Sequence, residues 1–183
     1  RLRPLWRHRV EEPANNIVKT PNSSVTKKED RNFQILHSDW AQLEENVASC
    51  TSCSLCQDRM KTVFGAGDKN ADWLIVGDVP SAEEGTQGDP FIGLSGKLLD
   101  NMLEAVNLKR SSNIYIANIV KCGPSGNRNL DNSEVQQCEP FLIRQIELIK
   151  PKLIIVLGEI AAQNLLGTSA TIDSFRGRLH EYF

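Results

Sequence analysis

The sequence predicts a three-layer α/β/α sandwich built on a central parallel sheet. Three apolar runs of strand length, "WLIVG" (73–77), "IYIANIV" (114–120) and "KLIIVLG" (152–158), do not alternate apolar with polar residues. Such runs suit strands covered on both faces, as parallel strands are. Helical patterns fall between them, and strands alternating with helices build these layers through right-handed crossovers. In sheets of this kind the ligand site lies beyond the carboxyl ends of the strands. The loops to inspect therefore follow Gly77, Asn118 and Leu157.

Taken in order, residues 1–35 are rich in Asn, Ser, Lys, Glu and Thr and lack apolar periodicity, so they read as a flexible polar arm. Within them "RLRPLWRHR" carries four arginines and a histidine, a charged terminal stretch with nucleic-acid contact as the alternative. The folded domain is expected over 36–183. It opens at "HSDWAQLEENVASC", where Asp39 and Gln42 fit a capping box and Trp40, Leu43 and Val47 repeat at helical spacing. That helix delivers Cys50. "SGKLLDNMLEAVNL" places Leu98, Leu99, Met102, Leu103 and Val106 on one side of a second helix. "PFLIRQIELI" is expected to begin a helix at Pro140 and to bury Leu142, Ile146 and Ile149. "EIAAQNLLG" closes at Gly167, a C-cap signal.

The 183 residues suffice for one domain with a sizeable core. Apolar content of 40% and charged content of 24% are those of an ordinary globular chain, and no apolar run is long enough to cross a bilayer. A net charge of −2 gives no global sign of a nucleic-acid binder. The chain begins at Arg1 rather than Met, which reads as an N-terminus that continues upstream. Five cysteines, an odd number, do not make a secreted disulfide framework. A reducing, cytoplasmic compartment is expected, with the thiols serving as metal ligands or redox groups.

The first loop, "GDVPSAEEGTQGDPFIGLSGK", has five glycines, two prolines and four acidic residues. It is not a phosphate-binding P-loop, because Phe91 stands where the first glycine belongs and Leu98 where Ser or Thr should follow Lys97. A dinucleotide fingerprint is also absent. A surface loop that merely needs turns is the plain alternative. Phe91 favours function, since an aromatic at the predicted ligand edge can stack on a flat ring. Asn118, inside an apolar strand, is either a satisfied structural residue or a reader of a planar imide or amide edge, with donor and acceptor side by side. Cys50, Cys53, Cys122 and Cys138 form a possible four-thiolate set that zinc and an iron–sulfur cluster fit equally well by spacing. Cys56 is left over as an alternative ligand or a free thiol.

Together these stretches resemble the family 4 uracil-DNA glycosylases, the iron–sulfur branch of the uracil-DNA glycosylase superfamily. The resemblance runs from about Trp40 to Tyr182 through "CTSCSLCQDRMKTVFGAGDKNADWLIVGD", "EEGTQGDPFIGLSGKLLDNML", "YIANIVKC", "CEPFLIRQIELIKPKLIIVLG" and "RGRLHEY". It implies an α/β/α fold around a four-stranded parallel sheet, and a 4Fe–4S cluster on Cys50, Cys53, Cys122 and Cys138 in place of zinc. It implies that Asn118 bonds the uracil edge and Phe91 stacks on the flipped base. The backbone around Asp78 and Val79 would bind the pyrimidine and place the hydrolytic water, with Asp78 as the catalytic residue. The reaction implied is hydrolysis of the N-glycosidic bond of deoxyuridine in DNA by a monomer, with uracil-containing DNA as partner and no membrane.

Three departures from the family pattern stand out. Asp78 replaces a glutamate, Ser81 a glycine at a turn expected to need positive φ, and Gly85 a residue that is commonly acidic. The family also continues past "RGRLHEY" with a strand and a histidine-bearing loop, so 1–183 is expected to be a C-terminally truncated, nearly inactive fragment. His180 lies before that motif and is expected to be a surface histidine. A non-catalytic or altered-specificity iron–sulfur DNA-binding member of the superfamily is the main alternative, and a zinc-clipped α/β domain with an unrelated small ligand the third.

Overall fold

In the computed structural model, which describes residues 23–124 and 128–182, β1 (Ala66–Gly67), β2 (Trp73–Gly77), β3 (Ile114–Asn118) and β4 (Leu153–Leu157) form one sheet in the order β1-β3-β2-β4. β2 pairs in parallel with both neighbours, and the register sets Gly77 beside Asn118 and Leu157 at the carboxyl ends. The short β1 adds an antiparallel edge to β3. The three predicted strands are thus present and parallel, and the fourth is a two-residue edge.

Alternate strand residues feed two cores, because side chains along a strand point to opposite faces. Leu74, Val76, Tyr115 and Ala117 pack on one side, with Leu43 and Val47 of α2 (Trp40–Ala48) and Phe141, Leu142 and Ile146 of α5 (Asn132–Ile149). Ile75, Ile114 and Ile116 pack on the other, with Leu99 and Leu103 of α4 (Leu94–Ala105). Each fully buried aliphatic of this kind contributes about 1.5–3 kcal/mol. Two cores with a sheet between them are the three layers expected.

Four expectations are corrected. Residues 23–35 are not an arm but most of α1 (Ser23–Leu36). The helix is pinned by the buried Ile35 and by Arg31, which lies 5.1 Å from the centre of the Phe141 ring and donates to the Gln137 carbonyl at 3.0 Å. Residues 1–22, including the basic stretch, lie outside the described residues. Pro140 does not start α5. The helix begins two turns earlier behind a capping box of Asp131 and Glu134, and carries Pro140 inside it. The predicted apolar face of α4 is split, since Leu99 and Leu103 are buried but Leu98, Met102 and Val106 are 58% to 61% exposed. Ser81 has φ −68° and needs no left-handed backbone, because it caps α3 (Ala82–Gln87), a short helix inside the glycine-rich connection.

α6 (Glu159–Leu165) follows β4 directly, and α7 (Ile172–Phe175) is a single turn. Beyond it His180 is exposed and bonds the Phe175 carbonyl. No helix among the described residues is long and apolar enough to cross a membrane.

Candidate functional site

At the carboxyl edge of the sheet, β2 ends in Gly77 and β3 in Asn118, side by side. A Cβ added to Gly77 would strike Asn118 Oδ1 and come within 2.7 Å of the Phe91 ring. Only a glycine lets the aromatic and the amide converge there. Asn118 is 1% exposed, and its Nδ2 is buried without a hydrogen-bond partner. A buried amide with one unmet donor costs about 1–3 kcal/mol unless something else supplies the acceptor. The plain reading of Asn118, a strand residue satisfied within the fold, does not account for that donor.

Phe91 reaches this position through strained backbone at φ 53°, a region that L-residues rarely occupy. Its peptide groups are held on both sides. The Phe91 N–H donates to Glu84 Oε1 at 2.9 Å, while Arg110 donates to the carbonyls of Pro90 at 2.9 Å, Phe91 at 2.5 Å and Gly96 at 3.1 Å. Arg110 is itself ion-paired to Asp100. Gly96 is required for this packing, since a Cβ there would collide with the Phe91 carbonyl.

Asp78 and Val79 lie one and two residues beyond Gly77. The Asp78 carboxylate turns toward α6, where Oδ1 accepts the Ala161 N–H at 2.7 Å and the N–H groups of Ile160 and Glu159 also bond it. Burial raises its pKa above the ordinary carboxylate value, against the pull of those donors. Gly158, at φ 148°, leaves the room the carboxylate occupies. Val79 is half-buried against the larger core. Gly85 faces open space.

A second site is joined to the first through Lys121. Cys50, Cys53, Cys122 and Cys138 all line one small pocket, with Arg59 and Lys121 in its wall. They come from three segments: the end of α2, the turn after β3, and α5. Arg31 donates to Cys50 Sγ at 3.5 Å, Arg59 to Cys122 Sγ at 3.3 Å, and the Lys121 backbone N–H to Cys138 Sγ at 3.2 Å. Burial raises the pKa of Cys53 and Cys122, and lifts Cys138 to about 12. Burial also opposes ionisation of Cys50, but hydrogen bonds from Ser52 and Arg31 outweigh it and lower that thiol. Cys56 is not part of the pocket lining.

The two sites share Lys121. This side chain is 1% exposed and donates from Nζ to the Asn118 carbonyl at 2.8 Å and to Gln145 Oε1 at 2.6 Å. Burial lowers its pKa to about 8.

The uracil DNA glycosylase superfamily model matches residues 64–183. The chain is 38% identical over 139 residues to the type-4 uracil-DNA glycosylase of Archaeoglobus fulgidus, covering 74% of this chain and 69% of that protein. It belongs to the type-4 branch of the uracil-DNA glycosylase superfamily. The type-4 enzyme of Thermotoga maritima is 37% identical over 136 residues, covering 74% of the chain and 70% of the relative. For the type-4 enzyme of Sulfurisphaera tokodaii the identity is 39% over 117 residues, and the chain spans only 53% of that protein's length.

In this type-4 chain Phe91 and Asn118 meet over Gly77 and the four cysteines share one pocket, but the groups that hold them do not stand out in the sequence. Glu84, Arg110 and Lys121 were not singled out. One local signal lies in the sequence: Ser81 followed three residues later by Glu84 is a capping box inside the glycine-rich loop. Arg110 and the Lys121–Gln145 contact carry no such signal, since those partners lie in other segments.

Proposed function

We propose that this chain is a DNA-repair enzyme that hydrolyses the N-glycosidic bond of deoxyuridine in DNA, releasing uracil and leaving an abasic site. The observation that carries this reading is the unpartnered Nδ2 donor of Asn118, buried beside the Phe91 ring over Gly77. An amide presents a donor next to an acceptor, the complement of an imide edge such as that of uracil. Phe91 supplies a face for the flat ring. Such a base reaches the pocket only when its nucleotide has left the stack.

The mechanism follows from charge. As the glycosidic bond breaks, the sugar gains oxocarbenium character and uracil departs as an anion. A preorganised N–H donor at the base stabilises that anion most where water is excluded. Water adds its oxygen to the anomeric carbon, and its proton balances the departing base. Asp78 is the residue of the β2 loop proposed to place that water, with Val79 beside it as part of the base-binding backbone. Its carboxylate already accepts N–H groups of α6, which favours a second reading: a member with altered specificity, in which Asp78 mainly ties β2 to α6. Incubating the full-length protein with a uracil-containing oligonucleotide, followed by alkali, separates the two. Strand cleavage supports the enzyme, and DNA binding without cleavage supports the second reading.

The four pocket cysteines are proposed ligands of a 4Fe–4S cluster. Four thiolates are a ligand set that zinc and a cluster both accept, and membership of the type-4 branch favours the cluster. N–H donors to the sulfurs from Arg31, Arg59 and the Lys121 backbone match the net negative charge such a site carries. When bound, the cluster would clamp three chain segments together. Iron and acid-labile sulfide in brown protein support it, whereas colourless protein holding zinc overturns it. A monomer in a reducing, cytoplasmic compartment completes the reading, since ligand thiols persist where disulfides do not form.

A further inference from the structure

The β2–α4 connection contains a buried carboxylate that the reaction itself does not use. Glu84 is 6% exposed, yet no cation is bonded to it among the described hydrogen bonds and ion pairs. Its Oε2 accepts the Ser81 N–H at 3.0 Å and its Oε1 the Phe91 N–H at 2.9 Å. Ser81 closes the stretch that begins at Gly77, and Phe91 is the ring above Gly77. One carboxylate therefore joins the two ends of the loop that walls the base pocket. Both bonds are charge-assisted, which makes them stronger and more directional than neutral ones.

The Phe91 backbone gives that bond something to oppose. At φ 53° a phenylalanine sits in a conformation it leaves unless neighbours hold it. Arg110 pins the carbonyl side of Phe91, and Glu84 is its partner on the amide side. We infer that Glu84 is a positioning residue for base recognition, holding Phe91 in its left-handed conformation so that the ring is preset over Gly77 beside Asn118. This rests on the reading of that site as a uracil pocket. Glu84 touches no base; it acts through Phe91.

Glutamine tests this, because it is isosteric but offers only one oxygen acceptor to two N–H donors and places an NH2 group against the other. Glu84→Gln is expected to weaken binding of free uracil about tenfold by titration calorimetry. In excision kinetics KM should rise more than kcat falls. A double-mutant cycle supplies the decisive comparison. In a Phe91→Ala background, adding Glu84→Gln should change uracil affinity less than twofold, since the residue it positions is gone. Equal losses in both backgrounds, or wild-type affinity in the single variant, would overturn the role assigned to Glu84. Glu84→Ala repeats the cycle should the glutamine variant fail to fold, as judged by its melting temperature. A wild-type protein that neither binds uracil nor excises it would instead overturn the pocket reading, and this inference with it.

Discussion

Replacing Asn118 by alanine tests the proposed chemistry most directly. The side chain is almost wholly buried, and its Nδ2 is the only buried side-chain nitrogen or oxygen among the described residues without a partner. If that donor meets the departing uracil, its removal resembles loss of an oxyanion-hole donor, about 2.7–4 kcal/mol, or roughly 10²–10³ in rate. Stability should respond quite differently. Deleting an unmet buried donor recovers about 1–3 kcal/mol, and that offsets the small cavity the truncation leaves. Excision is therefore expected to fall at least 100-fold while the melting temperature stays within a few degrees. Single-turnover cleavage of a uracil-containing oligonucleotide, run beside a thermal melt and an iron assay, reads all three quantities. Cutting within threefold of wild type would refute the assignment. A large drop in melting temperature would show that the donor is satisfied within the fold after all.

Three further outcomes follow from the geometry. Gly77→Ala should abolish uracil binding in calorimetry, because the new methyl occupies the space between Asn118 and Phe91, and overpacking should cost about 1–3 kcal/mol of stability. Cys53→Ser and Cys138→Ser should lose iron and visible absorbance, while Cys56→Ser, outside the pocket lining, should keep both. Glu134 is lowered from 4.5 to about 2, chiefly by its hydrogen bond with Arg128, with Ser54 adding a further bond. A group depressed on folding contributes stability above its unfolded value, so this contribution should be complete above about pH 4.5 and disappear as the pH falls toward 2. Glu134→Gln should flatten that acid limb of a melting-temperature profile. An unchanged limb would show that other carboxylates govern it.

The parallel strands were legible because burial on both faces removes alternation, and "WLIVG" shows that without knowledge of its neighbours. The convergence of Phe91 on Asn118 was not legible from the residues themselves. It depends on a positive-φ turn enforced by Arg110 and Glu84, whose partners are backbone atoms that no residue pattern reveals. The family resemblance supplied that pairing. α1 went unseen for a related reason: its sequence is polar, and it is secured by a buried isoleucine and an arginine lying over an aromatic ring from another helix. Pro140 misled because a proline favours a first helical turn, yet the stronger start signal lay upstream at Asp131 and Glu134. The four-cysteine pocket lay between these cases. Its members were visible, but their meeting depends on α5 extending far enough back to include Cys138.

The separation of those cysteines along the chain also orders events during synthesis. Cys50 and Cys53 leave the ribosome long before Cys122, and Cys138 follows only when α5 is under way. Contacts this distant in sequence form late, because the intervening chain must first be brought together at an entropic cost. The pair just after α2 therefore waits as open thiols beside an unfinished sheet, exposed to oxidants and to adventitious metals. Whatever loads this pocket meets a chain whose strands β2 and β3 have already emerged. A cluster of the kind proposed would be completed only after Cys138 emerges, so iron-poor expression is expected to yield protein that lacks it.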